Sequence, residues 1–261
     1  MQVSVSSMTG KLALVTGGAG GFGSTLAKAF LEDGYEIILT DIDGSRLKSV
    51  SQSLNSEGFE ANLAHENEVE KMVRDVVSDT GRIDVLFMGH GIVGGRTLLH
   101  QTCLEDWNAI QAANLTGSFL CMKYVIPIMM KQRSGCIISL TTGDPARKYS
   151  APYISSKLGI EGLTAAISSE VREWNIGVYA LSPGGYAATR FHDNSYNLLH
   201  FKNYISDEEL SKTTRAIKPE VIIPFCRFVA KDESLSLSGI IINALDWNEQ
   251  NGFSKRDDWY V

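Results

Sequence analysis

Residues 11–23 read KLALVTGGAGGFG. An apolar run of strand length ends on a glycine-rich turn. The turn opens into a segment, residues 21–33, whose Leu26, Ala27, Phe30 and Leu31 fall on one helical face. Apolar runs without polar alternation are buried on both faces, as parallel strands covered by helices are. The pattern repeats along the chain. YEIILT (35–40) leads to a helical 45–54, FEANL (59–63) to a helical 67–78, and IDVLFM (83–88) follows. A long apolar helix containing Pro127 is read over 114–131, then CIISL (136–140), a helix over 151–174 and IGVYALS (176–182). A helix over 219–230 and a last strand, GIIINAL (239–245), complete the order. No linker, repeat or low-complexity segment divides the chain. Alternating strand and helix predicts one α/β domain over residues 1–261, a Rossmann-type doubly wound parallel sheet of about seven strands with helices on both faces.

Two segments break the rhythm. Residues 184–216 lack a period and are rich in aromatics and histidine, which reads as a lid over a substrate. The tail, 245–261, carries Trp247, Phe253, Trp259 and Tyr260. So many aromatics predict docking, here on a neighbouring subunit, rather than a free end.

Composition narrows the function classes. Of 261 residues, 44% are hydrophobic and 21% charged, enough for a core that needs no staples. A net charge of -6 speaks against a general nucleic-acid surface. The sequence has no apolar run long enough to span a membrane, and MQVSVSSMTGK lacks the basic-then-apolar pattern of a signal peptide. Cys103, Cys121, Cys136 and Cys226 have no metal-ligand spacing. They are expected to be reduced thiols of a cytoplasmic protein with no metal site.

The turn TGGAGGFG follows a strand and opens a helix, the context a dinucleotide needs. Gly17, Gly21, Phe22 and Gly23 would let the backbone approach a pyrophosphate at the helix N-terminus. A flexible strand–helix turn would read the same way. The second strand discriminates, because it ends in ILTDID with Asp41 eighteen residues after Gly23. A carboxylate there accepts from both adenosine ribose hydroxyls and repels a 2′-phosphate. Ile42 rather than a base follows it, and Arg46 is the one nearby cation, so NAD is expected over NADP. Asp43 reads as a helix cap.

Residues 141–157 read TTGDPARKYSAPYISSK, with Tyr153 and Lys157 one helical turn apart. The pair alone carries little weight. In order along the chain, however, stand the glycine turn, IDVLFMGHG, Asn114 in NLTG, the Tyr153–Lys157 pair and SPGG at 182–185. That set resembles the compact branch of the short-chain dehydrogenase/reductase family over nearly the whole chain. The resemblance implies an NAD-dependent oxidoreductase interconverting a secondary alcohol and its ketone. Tyr153 would be the acid/base. A free tyrosine, with a pKa of about 10, is a poor base near neutrality, and an adjacent ammonium favours its phenolate. Lys157 would supply that charge and hold the nicotinamide ribose, and Asn114 would anchor a proton-relay water. The family's serine, which orients the substrate oxygen, would by its usual spacing fall on Leu140, which has no hydroxyl. Reading outward from CIISL assigns the role to Thr142, with Thr141 and Ser139 as alternatives. The resemblance further implies cofactor contacts from Asn62 and Leu63 at the adenine, Gly91 in MGHG, Pro183 and Gly184 in SPGG, and Thr189 at the carboxamide. His90 stands where the family has a small residue and is expected to pack or hydrogen-bond near the sheet edge. Family members pair as dimers or tetramers through the helices read here at 114–131 and 151–174. A catalytically idle nucleotide-binding protein and a ketoreductase of carrier-bound acyl substrates are the rival readings.

Overall fold

The computed structural model describes residues 10–95, 97–142, 146, 148–187, 216–231 and 235–261. Strand β1 (Leu12–Thr16) is buried at every position, as its unbroken apolar run requires. It pairs in parallel with β2 (Glu36–Asp41) on one side and β4 (Val85–Met88) on the other. β3 (Glu57–Glu60) lies outside β2. β5 (Gly135–Leu140), β6 (Ile176–Ser182) and β9 (Ile241–Asn243) extend the sheet beyond β4, all parallel. The order β3-β2-β1-β4-β5-β6-β9 reverses direction between β1 and β4. A crevice opens at such a reversal, beyond the carboxyl ends of the strands. β7 (Tyr186–Ala187) and β8 (Ala216–Ile217) form a separate parallel pair.

Helices α1 (Gly21–Glu32), α2 (Gly44–Leu54), α7 (Ile223–Val229) and α8 (Ala244–Gln250) cover one face. They pack around Leu26, Phe30, Leu47, Phe87, Tyr179 and Phe225. α3 (Glu66–Thr80), α5 (Gly117–Gln132) and α6 (Ala151–Val171) cover the other, around Val69, Met72, Leu86, Val125 and Ile137. A further helix, α4 (Leu104–Gln111), runs into α5 through a π-helical turn, Ala112–Thr116. No helix among the described residues is long and apolar enough to cross a membrane.

The reading of the last strand needs correction. The last strand stops at Asn243 because its side chain accepts from Asp246 N at 3.2 Å and starts α8, taking residues 244–245 out of the sheet. The aromatic tail docks on its own chain. Trp247 stacks on Phe253 at 5.3 Å and meets Phe225 edge-on. Tyr260 bridges Ile217, while Lys218 N and Val261 N donate to Trp259 O and Ala216 O at 2.8 and 2.9 Å. Residues 188–215, most of the expected lid, lie outside the described residues.

Candidate active site

A cleft of about 240 Å³ opens at the β1/β4 crevice. Gly17, Gly21, Phe22, Gly23, Asp41, Ile42, Asn62, Leu63 and Gly91 all line it, so nine of the expected cofactor residues converge. Gly17 has φ +65, and a Cβ there would stand 2.7 Å from His90 N. No side chain caps the N-terminus of α1, whose first N–H groups remain available to an anion. At the far end, Asp41 is buried and accepts from Ala19 N at 3.0 Å and Asp43 N at 3.1 Å. Burial raises its pKa, partly offset by those backbone donors and by the Arg46 charge. Each carboxylate oxygen keeps a lone pair for a ribose hydroxyl. Arg46 folds back on the glycine turn, donating to Ala19 O at 3.3 Å. Asp43 caps α2 by accepting from Arg46 N. Asn62 Oδ1 already accepts from Ala64 N at 3.1 Å, leaving one lone pair toward an adenine. The glycine cradle, the open helix end and the carboxylate fit a dinucleotide.

Tyr153 and Lys157 lie on the buried face of α6. Lys157 is 3% exposed, its Nζ 5.9 Å from the Tyr153 ring centre and 2.9 Å from the Leu140 carbonyl, to which it donates. Burial lowers its pKa to about 8. Asn114 sits inside the π-turn, fully buried. Its Oδ1 accepts from Ile92 N at 2.7 Å, and its Nδ2 donates to Ile92 O and Ser156 Oγ, both at 2.9 Å. Asn114 thus clamps the loop after β4 to α6. Gly91 must be glycine in this arrangement, since a Cβ there would meet Asn114 Oδ1 at 2.8 Å and Lys157 Nζ at 3.5 Å.

Three hydroxyls are candidates for the substrate oxygen: Thr141, Ser139 and Thr142. Thr141 donates toward Lys157 O at 3.2 Å and Glu161 Oε1 at 2.6 Å. Ser139 is fully buried within β5. Thr142 follows, half-buried, at the carboxyl end of the sheet. Pro183 and Gly184 follow β6 outside the lining of the cleft, a Cβ on Gly184 would meet Asn243 and Leu245, and Thr189 is outside the described residues.

The π-turn also brings Ala112 and Ala113, with Ala109 of α4, to the cleft wall. The sequence carries no signal for these, because alanine suits any buried helix. His90 lies at the carboxyl end of central β4, not at a sheet edge, with its Nδ1 2.5 Å from Thr16 Oγ1. No group of metal-ligating side chains occurs among the described residues.

Residues 11–197 match the family model for short chain dehydrogenase. The chain is 32% identical over 226 residues to a 3-oxoacyl-[acyl-carrier-protein] reductase of Synechocystis sp., covering 81% of this chain and 90% of that protein. It is 36% identical over 186 residues to the 3-oxoacyl-[acyl-carrier-protein] reductase FabG of Staphylococcus epidermidis, 67% of this chain and 74% of that one. Among solved structures, NAD+-bound xylitol dehydrogenase superposes with a TM-score of 0.79 at 25% identity, over 91% of this chain and 98% of that one.

Proposed function

We propose that this chain, which belongs to the short-chain dehydrogenase/reductase family, is an NAD-dependent oxidoreductase interconverting a secondary alcohol and its ketone. The observation that carries the reading is the burial of Lys157 beside Tyr153, behind Gly91 of the cleft wall, together with Asp41 in the lining of the same cleft. A nicotinamide held in the cleft would exchange the hydride with the substrate carbon. Tyr153 takes the alcohol proton in oxidation and returns it in reduction. The ammonium of Lys157 stabilises the phenolic oxygen while it is negative. Thr142 donates to the substrate oxygen and fixes its distance from Tyr153. Asn114 holds the loop after β4 against Lys157 and anchors a water that relays the proton. Asp41 selects NAD by accepting from the ribose diol and repelling a 2′-phosphate. Assembly is proposed through α5 and α6, whose Phe119 and Leu158 are 45% and 41% exposed on the isolated chain.

A second reading, a reductase of 3-oxoacyl groups on a carrier, is favoured by the similarity to reductases of that name. One assay separates the two. Reduced-nicotinamide absorbance is followed with NAD and NADP against a panel of secondary alcohols, and with NADH and NADPH against a 3-oxoacyl thioester. Turnover with NAD and an alcohol, lost in Tyr153→Phe, is the expected result, and Asp41→Ala should cut the preference for NAD over NADP at least about tenfold. Turnover confined to NADPH and the thioester would replace the first reading with the second. NADH binding without turnover on either panel would favour the idle protein.

A further inference from the structure

His90 is the one imidazole lining the cleft among the described residues. Its surroundings dictate its protonation. Thr16 Oγ1 lies 3.3 Å from the Phe87 carbonyl and 2.5 Å from His90 Nδ1. A hydroxyl has one proton, and if it goes to His90 across the shorter contact, Nδ1 is an acceptor. On the other side, Ser118 Oγ donates to the Asn114 carbonyl at 2.7 Å. A hydroxyl that already donates can only accept from His90 Nε2, 3.5 Å away. In that arrangement Nε2 carries the proton and the ring is neutral. Burial and the Lys157 charge both act in that direction, lowering the His90 pKa to about 3. Lys157 of α6 is the charged group acting on the ring. β1 and α5 present Thr16 and Ser118, neither of which titrates near neutrality. The ring also fills the space beside Gly117, where a Cβ would stand 3.1 Å from Nε2.

From this geometry we infer that His90 is a positioning residue for the proton-transfer site. Its neutral, Nε2-protonated ring links Thr16 to Ser118 and, through that hydroxyl, to the Asn114 carbonyl, so that Asn114 stays clamped to Ile92 and Gly91 stays against Lys157. The chain of contacts runs from the sheet end that supports the glycine turn to the asparagine that orders the catalytic loop. A small residue at position 90 could make neither contact. The inference rests on the oxidoreductase reading for its kinetic consequence, but the contact chain itself can be read without turnover.

The test compares His90→Ala, His90→Leu and Ser118→Ala in the full chain. Leucine refills the volume without the nitrogens. Hydrogen exchange at the Ile92 amide reports the Asn114 clamp in the absence of any substrate. Nitrogen NMR of the wild-type imidazole reports its tautomer. The expected result is a proton on Nε2 with no titration between about pH 5 and 8. Ile92 exchange should be faster in all three variants. The kcat loss should be about tenfold and similar in all three, the scale of one lost neutral hydrogen bond. NADH binding and the KM for NAD should change less than about twofold, since a lost positioning contact lowers kcat rather than uniform binding. Wild-type kcat and Ile92 protection in His90→Leu would reduce His90 to a spacer and overturn the proposal, as would a proton on Nδ1. If the wild type turns over no substrate, the oxidoreductase reading fails separately, while exchange and NMR still decide the role of His90.

Discussion

Lys157 keeps its ammonium in the interior, where its hydrogen bond goes to the Leu140 carbonyl. Its pKa falls from 10.5 to about 8 because burial penalises the charge. Between those values the unfolded chain binds more protons than the folded one, so stability rises with pH through that window. Below about pH 8 the buried charge is a net cost, as expected of a group held for the proposed proton transfer at Tyr153. Lys157→Met should therefore abolish turnover yet melt at or above the wild-type temperature at pH 7. That advantage should shrink as pH rises from 8 toward 10.5. A clear loss of stability at pH 7 would contradict this. Lys157, Tyr153 and Asp41 were legible because each is tied by spacing to the end of an element. The serine equivalent was less so, since the loop between β5 and α6 can change length without a trace in the pattern. The hydrogen-bond partners of His90 come from β1 and α5, remote in sequence, and no local signal announces them.

At the scale of elements, strands were the more legible part. β6 was read at its observed bounds because it is apolar throughout and buried throughout. β3 is an edge strand of mostly exposed residues, so its apolar signal is weak, and the strand falls earlier than FEANL suggests. α4 went unread because its cap is Cys103, whose Sγ accepts from Asp106 N at 3.4 Å, instead of a hydroxyl or carboxamide. The π-turn that follows gives no sequence signal, though turns of this kind often mark function. Here it carries Asn114 and its three hydrogen bonds, the two to Ile92 part-buried and the one to Ser156 buried. Asn114→Ala would leave the part-buried Ile92 N–H and carbonyl without their partner, and a buried group left unpaired costs about 1–3 kcal/mol. Denaturant unfolding should then show a loss of about 2–4 kcal/mol with an unchanged m-value. A loss below about 0.5 kcal/mol, the scale of an ordinary surface change, would mean that the clamp contributes little to the fold.

For the whole molecule, the tail and the exposed helix faces are proposed to make opposite contributions to stability and assembly. The tail adds an antiparallel contact to β8 and covers Trp247 with Phe253, while Arg256 reaches Asp246 at 2.7 Å. The contacts described for it are intramolecular, so removing residues 251–261 should expose Ile217 and Trp247 and weaken the fold of each subunit. Unburying one large aromatic costs about 1.5–3 kcal/mol, which in a chain of this size lowers the melting temperature by several degrees. Subunit number, measured by sedimentation at micromolar concentration, should not change. Phe119 and Leu158 behave the other way. A charge placed there, as in Leu158→Glu, disturbs no core packing, but it would have to be desolvated in an interface through α5 and α6. That variant should dissociate while each subunit keeps its unfolding cooperativity. Both proteins must be measured together, because a destabilised subunit can also shed its partners. The decisive pattern is a lower melting temperature at constant assembly for the truncation, and lost assembly with an intact fold for Leu158→Glu. If the truncation dissociates at full thermal stability, the tail belongs to an interface after all, and its packing against Ile217 is secondary.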